Sequence, residues 1–119
     1  MVSNLDFAET FLEIAGTKIP EDTQGRPLVP LMRGKTPKKW RKTFYYHYYE
    51  AGGHGVPIHY GVTDGRYKLI RFPDDKLEAW ELFDSKNDPM EMKSVYDAPL
   101  IARLKKELDR LRQHYQVEK

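Results

Sequence analysis

The sequence contains no cysteine among its 119 residues, which excludes disulfides, thiolate metal sites and cysteine nucleophiles. No apolar run reaches about 18 residues, and no basic start precedes an apolar stretch, so neither a membrane span nor a signal peptide is predicted here. An excess of one charge is also lacking, since 20 Lys and Arg face 18 Asp and Glu. The net charge of +2 is therefore too small to indicate nucleic acid or an anionic membrane by bulk electrostatics alone, and any site for a polyanion would have to be local.

What remains is the composition of a globular domain, with 39% hydrophobic and 32% charged residues. A mass of 14.0 kDa corresponds to one small domain with a modest core. A function that requires two lobes therefore needs a second lobe from elsewhere.

The sequence of residues 1–39 predicts a helix followed by an irregular connector. Phe7, Phe11 and Ile14 recur at helical spacing, and Gly16 is placed to end the helix with a positive φ. Other apolar residues lie on a second side of this helix, so it requires burial on more than one face. Four prolines and two glycines then interrupt residues 17–37, which indicates a connector that crosses a surface and is held by another segment.

Residues 40–119 predict an antiparallel sheet covered by a helix. Asp64-Gly65 is predicted to form a type I′ hairpin turn, and Asp88-Pro89-Met90-Glu91 to begin a short helix. The predicted strands are 43–49, 60–63, 66–72 and 80–84. The covering helix runs from Pro99 to about Val117, and its apolar stripe consists of Leu100, Leu104, Leu108, Leu111 and Tyr115. The fold class is therefore α+β, with about four antiparallel strands, a long C-terminal helix, an N-terminal helix and an irregular connector.

Two local features carry candidate binding chemistry. His54 and His59 fall within the glycine-rich stretch 52–59, which can approach a sugar hydroxyl, a sulfate or a metal, although a mobile hairpin loop with one histidine against the sheet is the simpler interpretation. Two histidines without a third ligand do not make a zinc site. The tyrosines of 44–49, beside the basic run 35–42, are compatible with stacking on bases or sugars, and more simply with a strand that buries one face.

A series of short sequence segments in fixed order resembles the C-terminal portion of the type I, formylglycine-dependent sulfatases of the alkaline-phosphatase-like superfamily. The segments are Asn4 to Gly16, Ile19 to Leu31, Trp40-Arg41, Tyr48-Tyr49-Glu50, Tyr60-Gly61-Val62, Arg66 to Ile70, Glu81 to Asp84 and Asp88 to Glu91. Together they cover nearly the whole chain. The resemblance implies that 1–39 matches the end of the sulfatase N-terminal domain and 40–119 the C-terminal α+β subdomain.

The resemblance also implies which chemistry lies outside this chain. The family forms its formylglycine nucleophile from the first residue of [CS]-x-P-x-R, a pattern that this sequence lacks, and its calcium ligands lie upstream. The chain is therefore expected to have no catalytic residue, metal ligand or cofactor of its own. The parent enzyme is expected to use calcium and formylglycine, to hydrolyse sulfate esters of a glycan, and to be extracytoplasmic.

In the family, loops of this subdomain contact the non-sulfated part of the substrate, which makes Glu50, His54, His59 and Arg66 the candidate substrate contacts. The expected partners are the N-terminal sulfatase domain and, through the parent, a sulfated glycan, with no nucleic acid and no membrane. The isolated chain is expected to expose its first helix and to self-associate through it. The alternative is a free-standing carbohydrate-binding or protein-interaction module.

Overall fold

The computed structural model describes residues 1–50, 55–73 and 79–117, and the chain forms two compact units, Met1–Arg41 and Lys42–Lys119. Within those ranges the elements are α1 (Asp6–Ile14), α2 (Val29–Met32), β1 (Phe44–Tyr48), β2 (His59–Thr63), β3 (Tyr67–Phe72), β4 (Ala79–Asp84) and α3 (Ala98–His114). None of the helices in this described part is long and apolar enough to cross a membrane. The architecture is the predicted α+β class.

In the first unit, α1 buries polar side chains, and the apolar side chains of Phe7, Phe11 and Ile14 are exposed. Asp6, Glu9 and Thr10 are almost fully buried. Each accepts a hydrogen bond from the backbone of the connector: Gly25 N to Glu9 Oε1 at 2.8 Å, Arg26 N to Asp6 Oδ1 at 2.9 Å, and Leu28 N to Thr10 Oγ1 at 2.8 Å. The prediction that the connector is held by another segment is therefore confirmed, because a segment without strands of its own has its N–H groups satisfied by side chains.

The connector approaches α1 so closely at Gly25 that a side chain has no room there. A Cβ atom at this position would lie 2.1 Å from the carbonyl oxygen of Leu5 and 2.2 Å from Glu9 Oε2. Gly16 ends the helix as predicted, with φ of +66°. The helix begins without a side-chain cap, since Leu5 occupies the N-cap position.

The second unit is a four-stranded antiparallel meander with the order β1-β2-β3-β4. Tyr45 lies opposite Val62, Val62 opposite Leu69, and Leu69 opposite Leu82. This register places a row of side chains on one face of the sheet, because residues directly opposite one another share a face. That face forms the core.

Helix α3 covers this face, as predicted. Its start is capped by Asp97, whose side chain accepts a hydrogen bond from Leu100 N at 2.9 Å. The buried cluster between helix and sheet consists of Tyr60, Val62, Leu69, Leu82, Leu104, Leu108 and Leu111. The stripe spaced at three and four residues thus marks the buried face of α3 correctly.

Two local predictions are wrong. The β2–β3 turn has a positive φ only at Gly65, +93°, whereas a type I′ turn requires positive φ at both central residues. Glu91 takes φ of +53°, and its N–H donates to the Asp88 carbonyl oxygen at 3.1 Å, so this segment is a turn and not a helix. The carboxylate of Glu91 does not cap a helix and accepts a hydrogen bond from Lys68 Nζ at 2.5 Å.

Candidate functional site

The end of the β1–β2 pair gathers two of the candidate residues around one tyrosine. Tyr48, the last residue of β1, lies directly opposite His59, the first residue of β2. Their rings stack with centroids 5.3 Å apart and an interplanar angle of 24°. The Tyr48 hydroxyl donates to Glu50 Oε2 at 3.2 Å. We call Tyr48, Glu50 and His59 the β1–β2 end cluster.

The imidazole of His59 is held by aromatic rings and by one backbone carbonyl. Tyr46 meets it edge-on at 5.7 Å, and Phe72 lies at 5.6 Å. His59 Nδ1 is 2.9 Å from the Pro57 carbonyl oxygen, which can only accept, so Nδ1 carries the proton. In the neutral ring Nε2 is then an acceptor, and no partner for it occurs among the described residues.

The ring of Tyr46 can lie against His59 because the residue opposite Tyr46 on the next strand is a glycine, which has no side chain. It lies opposite Gly61, and a Cβ at Gly61 would be 3.0 Å from a Tyr46 ring carbon and 2.4 Å from the Leu69 carbonyl oxygen. The Tyr46 hydroxyl is buried, and it has no hydrogen-bond partner among the residues that the structure describes. Burial, followed by the charges of Glu91 and Glu81, raises the pKa of Tyr46, so this hydroxyl stays protonated.

Together these contacts present one carboxylate and one imidazole acceptor at the rim of an aromatic surface. Acceptors of this kind bind hydroxyl and amino groups, and ring faces bind the apolar faces of sugars. The cluster thus has the chemistry of a carbohydrate contact.

Arg66 lies in the β2–β3 turn, at the other end of β2 from His59. Strand β2 separates it from His59 by about 13 Å, at 3.3 Å per residue. Its guanidinium binds Asp84 through two hydrogen bonds, Nε to Oδ1 at 3.1 Å and the second nitrogen to Oδ2 at 2.9 Å, and lies over the Tyr67 ring. The hydrogen bond from Arg66 holds the pKa of Asp84 below its usual value. The structure thus gives Arg66 a role in holding the hairpin to β4.

His54 lies outside the described residues. Glu50 and His59 are therefore brought together, and Arg66 is not part of their cluster. The sequence places Tyr48 among the tyrosines of 44–49 that could stack on a sugar, but it does not identify Tyr48 as the residue that connects Glu50 and His59. Alternation along 44–50 places Tyr48 and Glu50 on one face, but the pairing of Tyr48 with His59 depends on the length of the intervening loop, which no local pattern specifies.

The histidine of β1 itself is a structural residue. His47 stacks on Tyr49 at 3.7 Å, and its Nδ1 is 3.0 Å from the Tyr45 hydroxyl. Burial, followed by the positive charge of Arg112 and the neighbouring imidazole of His59, lowers the pKa of His47, so the His47 ring is neutral at pH 7. Burial raises the pKa of Tyr45 to about 12, which keeps its hydroxyl protonated.

A second surface of interest lies on α1 in the first unit. Phe7, Phe11 and Ile14 are 53%, 67% and 64% exposed, although they share one helical face. The rings of Phe7 and Phe11 stack at 6.4 Å. We call these three residues the α1 stripe. A contiguous apolar face of this kind marks a contact surface, because solvent exposure of such groups is unfavourable.

The residues that the structure describes supply neither a formylglycine nucleophile nor a calcium site. The formylglycine pattern is absent from the sequence, and within residues 1–50, 55–73 and 79–117 no three His, Asp or Glu side chains converge on a point that could hold a metal. No catalytic step is therefore derived from these residues.

Comparisons with known proteins agree with this architecture. Residues 1–117 match the model of the family described as N-sulphoglucosamine sulphohydrolase, C-terminal. An N-acetylglucosamine-6-O-sulfatase of Bacteroides thetaiotaomicron is 45% identical over 97% of this chain, and an arylsulfatase K of Xenopus laevis is 31% identical over 80%. A solved structure of a protein in complex with its substrate D-glucosamine-2-N,6-O-disulfate is 41% identical over 93% of this chain, with a TM-score of 0.84.

The fold is thus that of a C-terminal α+β subdomain of the sulfatases. The chain belongs to the N-sulphoglucosamine sulphohydrolase C-terminal family. It spans about a fifth of the length of these two curated relatives, 21% of the Bacteroides protein and 19% of the Xenopus protein.

Proposed function

We propose that this chain is the C-terminal subdomain of a glycan sulfatase, completes the fold of that enzyme and is catalytically silent alone. Residues 1–39 would form the end of the N-terminal domain and 40–119 the C-terminal subdomain. The observation that carries this proposal is the α1 stripe, because a helix that buries its polar face within its own unit and exposes Phe7, Phe11 and Ile14 requires another surface to cover them.

The occupant of the α1 stripe would be the catalytic domain of the parent enzyme. About four fifths of the Bacteroides N-acetylglucosamine-6-O-sulfatase and of the Xenopus arylsulfatase K lies outside the region matched here, which leaves ample sequence for such a domain. That domain would hold the formylglycine and the calcium ion, whose chemistry this chain lacks. The parent would be extracytoplasmic, as the resemblance implies.

The proposed substrate is a sulfated glucosamine unit of a glycan. Its support is the similarity to an N-acetylglucosamine-6-O-sulfatase and to a protein bound to a disulfated glucosamine. The β1–β2 end cluster would contact the hydroxyl or amino groups of the sugar, with Nε2 of His59 and the carboxylate of Glu50 as acceptors. His54 is proposed as a further contact, and Arg66 only as a support of the hairpin.

Reconstitution tests this function. The catalytic portion of the parent and the present chain are produced separately and mixed, and hydrolysis of a 6-O-sulfated glucosamine is measured. We expect activity only from the mixture, and we expect Phe11→Lys to abolish both association and activity. Glu13→Lys is the matched control, since it places a lysine on the same helix at an exposed position outside the stripe.

Two results would oppose the proposal. One is full activity of the catalytic portion without this chain. The other is equal loss of association in the Phe11→Lys and Glu13→Lys variants.

The isolated chain is also expected to self-associate through the α1 stripe, so light scattering should show dimers or larger species that Phe11→Lys converts to monomers.

A further inference from the structure

The positive charge of this chain is concentrated in one segment. Residues 23–49 contain seven of the 20 Lys and Arg and none of the 18 Asp and Glu, although the net charge of the whole chain is only +2. The rest of the chain therefore carries thirteen Lys and Arg residues and all eighteen Asp and Glu residues. A segregation of this degree creates a local positive potential that the net charge conceals.

Two of these seven cations have structural partners within the first unit. Arg41 binds the buried carboxylate of Asp6, and an Arg26 nitrogen donates to the Lys39 carbonyl oxygen at 2.5 Å. Four others in this unit, Arg33, Lys35, Lys38 and Lys39, are exposed, and within the described ranges none of them forms an ion pair. We call these four residues the basic strip.

The backbone that carries the basic strip is fixed by hydrogen bonds. Lys35 N donates to the Pro30 carbonyl oxygen at 2.8 Å, and Trp40 N to the Pro37 carbonyl oxygen at 2.9 Å. The indole N–H of Trp40 donates to the Met1 carbonyl oxygen at 2.7 Å. Because the backbone is already ordered, an anionic ligand that binds the strip need only order the lysine side chains.

We propose that the basic strip binds sulfate groups of a polymeric glycan, outside the sugar unit that is hydrolysed. This inference rests on the proposed function, because the polymer is the substrate of the parent enzyme. The basic strip has four cations within seven residues, and this density of positive charge matches a glycan polymer that carries anions at regular intervals. Single-stranded nucleic acid fits less well, since residues 33–39 contain no aromatic side chain on which a base could stack.

Binding of a sulfated heparin octasaccharide to the 119-residue chain tests this site. The variant Lys35→Gln/Lys38→Gln/Lys39→Gln removes three cations of the strip. The matched control Lys86→Gln/Lys93→Gln/Lys106→Gln removes three exposed lysines of the second unit. We expect the strip variant to bind about tenfold more weakly and to lower the slope of log Kd against log salt by about 2 to 3, since each phosphate-like contact contributes about 0.7 to 0.9.

The control variant and desulfated heparin define the specificity. The control should bind as the unchanged chain does, and desulfated heparin should not bind. Circular dichroism should show the same folded state in both variants, because all six lysine side chains are exposed. Equal weakening in both variants, or no binding of sulfated heparin by the unchanged chain, would overturn the site. Equal affinity for an oligothymidylate would overturn the assignment to a sulfated glycan.

The outcome is separable from that of the proposed function. In the parent enzyme, the strip variant should raise KM for the polymer severalfold and leave hydrolysis of a monosaccharide unchanged. A parent without sulfatase activity, together with binding that depends on the strip, would refute the proposed function alone. An active parent whose strip variant binds heparin normally would refute the strip alone.

Discussion

Asp6, the first residue of α1, binds the guanidinium of Arg41 through both carboxylate oxygens, at 2.5 and 2.6 Å. Both side chains are withdrawn from solvent, with 0% of Asp6 and 7% of Arg41 exposed. The same carboxylate accepts hydrogen bonds from the backbone N–H groups of Ser3 and Arg26. The pair thus connects the start of the first unit, its connector and its last residue.

Arg41→Ala should destabilise the first unit by about 3 to 5 kcal/mol, because it leaves a buried carboxylate without its cation. Urea unfolding followed by the NMR signal of the Trp40 indole N–H measures this effect, since that group donates to Met1 within the unit. The control is Lys18→Ala, which breaks an ion pair with Glu21 whose side chains are 81% and 89% exposed. It should cost less than about 1 kcal/mol. Equal effects of the two substitutions would show that burial of the Asp6–Arg41 pair is unimportant.

The Asp6–Arg41 pair should make the first unit sensitive to acid. Burial acts to raise the pKa of Asp6, but the hydrogen bonds from Arg41, Ser3 and Arg26 outweigh it and hold the pKa below 3.8. A carboxyl whose pKa is lowered on folding stabilises the folded state above its unfolded pKa, and this contribution disappears as the pH falls through the folded pKa. The stability difference between the unchanged chain and Asp6→Asn should therefore be largest above pH 3.8 and shrink at lower pH.

The measurement is urea unfolding of both proteins near pH 5 and again at about pH 2, with the Trp40 signal as reporter. Other carboxyls with lowered pKa values, such as Asp64 and Glu107, titrate in both proteins and cancel in the difference. A stability difference that does not change with pH would contradict the ionised state of Asp6.

Leu104→Ala and Leu108→Ala should each destabilise the second unit by about 2 to 5 kcal/mol, because both side chains are essentially inaccessible between α3 and the sheet. Thermal unfolding by circular dichroism measures the loss. Lys106→Ala, an exposed position on the same helix, should change stability by less than about 0.5 kcal/mol. Unchanged stability of the leucine variants would favour a partner-binding helix instead of a core helix.

In the parent enzyme, His59→Ala should raise KM for the glycan about three- to tenfold with little change in kcat, since it removes one hydrogen bond worth about 0.5 to 1.5 kcal/mol. Arg66→Gln should leave KM unchanged and reduce thermal stability, because Arg66 is bound to Asp84. Steady-state kinetics on both variants separate the roles. A higher KM for Arg66→Gln and an unchanged KM for His59→Ala would reverse the assignment.

The elements of the second unit follow from sequence patterns, because strand alternation and the leucine spacing of α3 are local properties that tertiary packing reinforces. Helix α1 shows the limit of such patterns. The spacing of Phe7, Phe11 and Ile14 predicts the helix, but within its own unit the buried face carries Asp6, Glu9 and Thr10. Those residues meet connector N–H groups 16 to 20 positions away, which no local pattern reports.

The candidate site divides in the same way. Glu50 and His59 were predictable as polar residues near a glycine-rich loop, whereas Tyr48 joins them only through strand register. The turn at Asp64-Gly65-Arg66 shows a related limit. Its position follows from Gly65, but its type differs because the Asp64 carboxylate accepts the N–H groups of Arg66 and Tyr67 and keeps Asp64 out of the left-handed region.

The central claim is that this chain works as part of a longer sulfatase. The most direct measurement is the intact mass and peptide map of the native protein in its source cells. The account predicts a species several times heavier than 14.0 kDa, with these peptides joined to an upstream peptide that contains formylglycine. A native product of 14.0 kDa that begins at Met1 would contradict it and would favour a free-standing glycan-binding module.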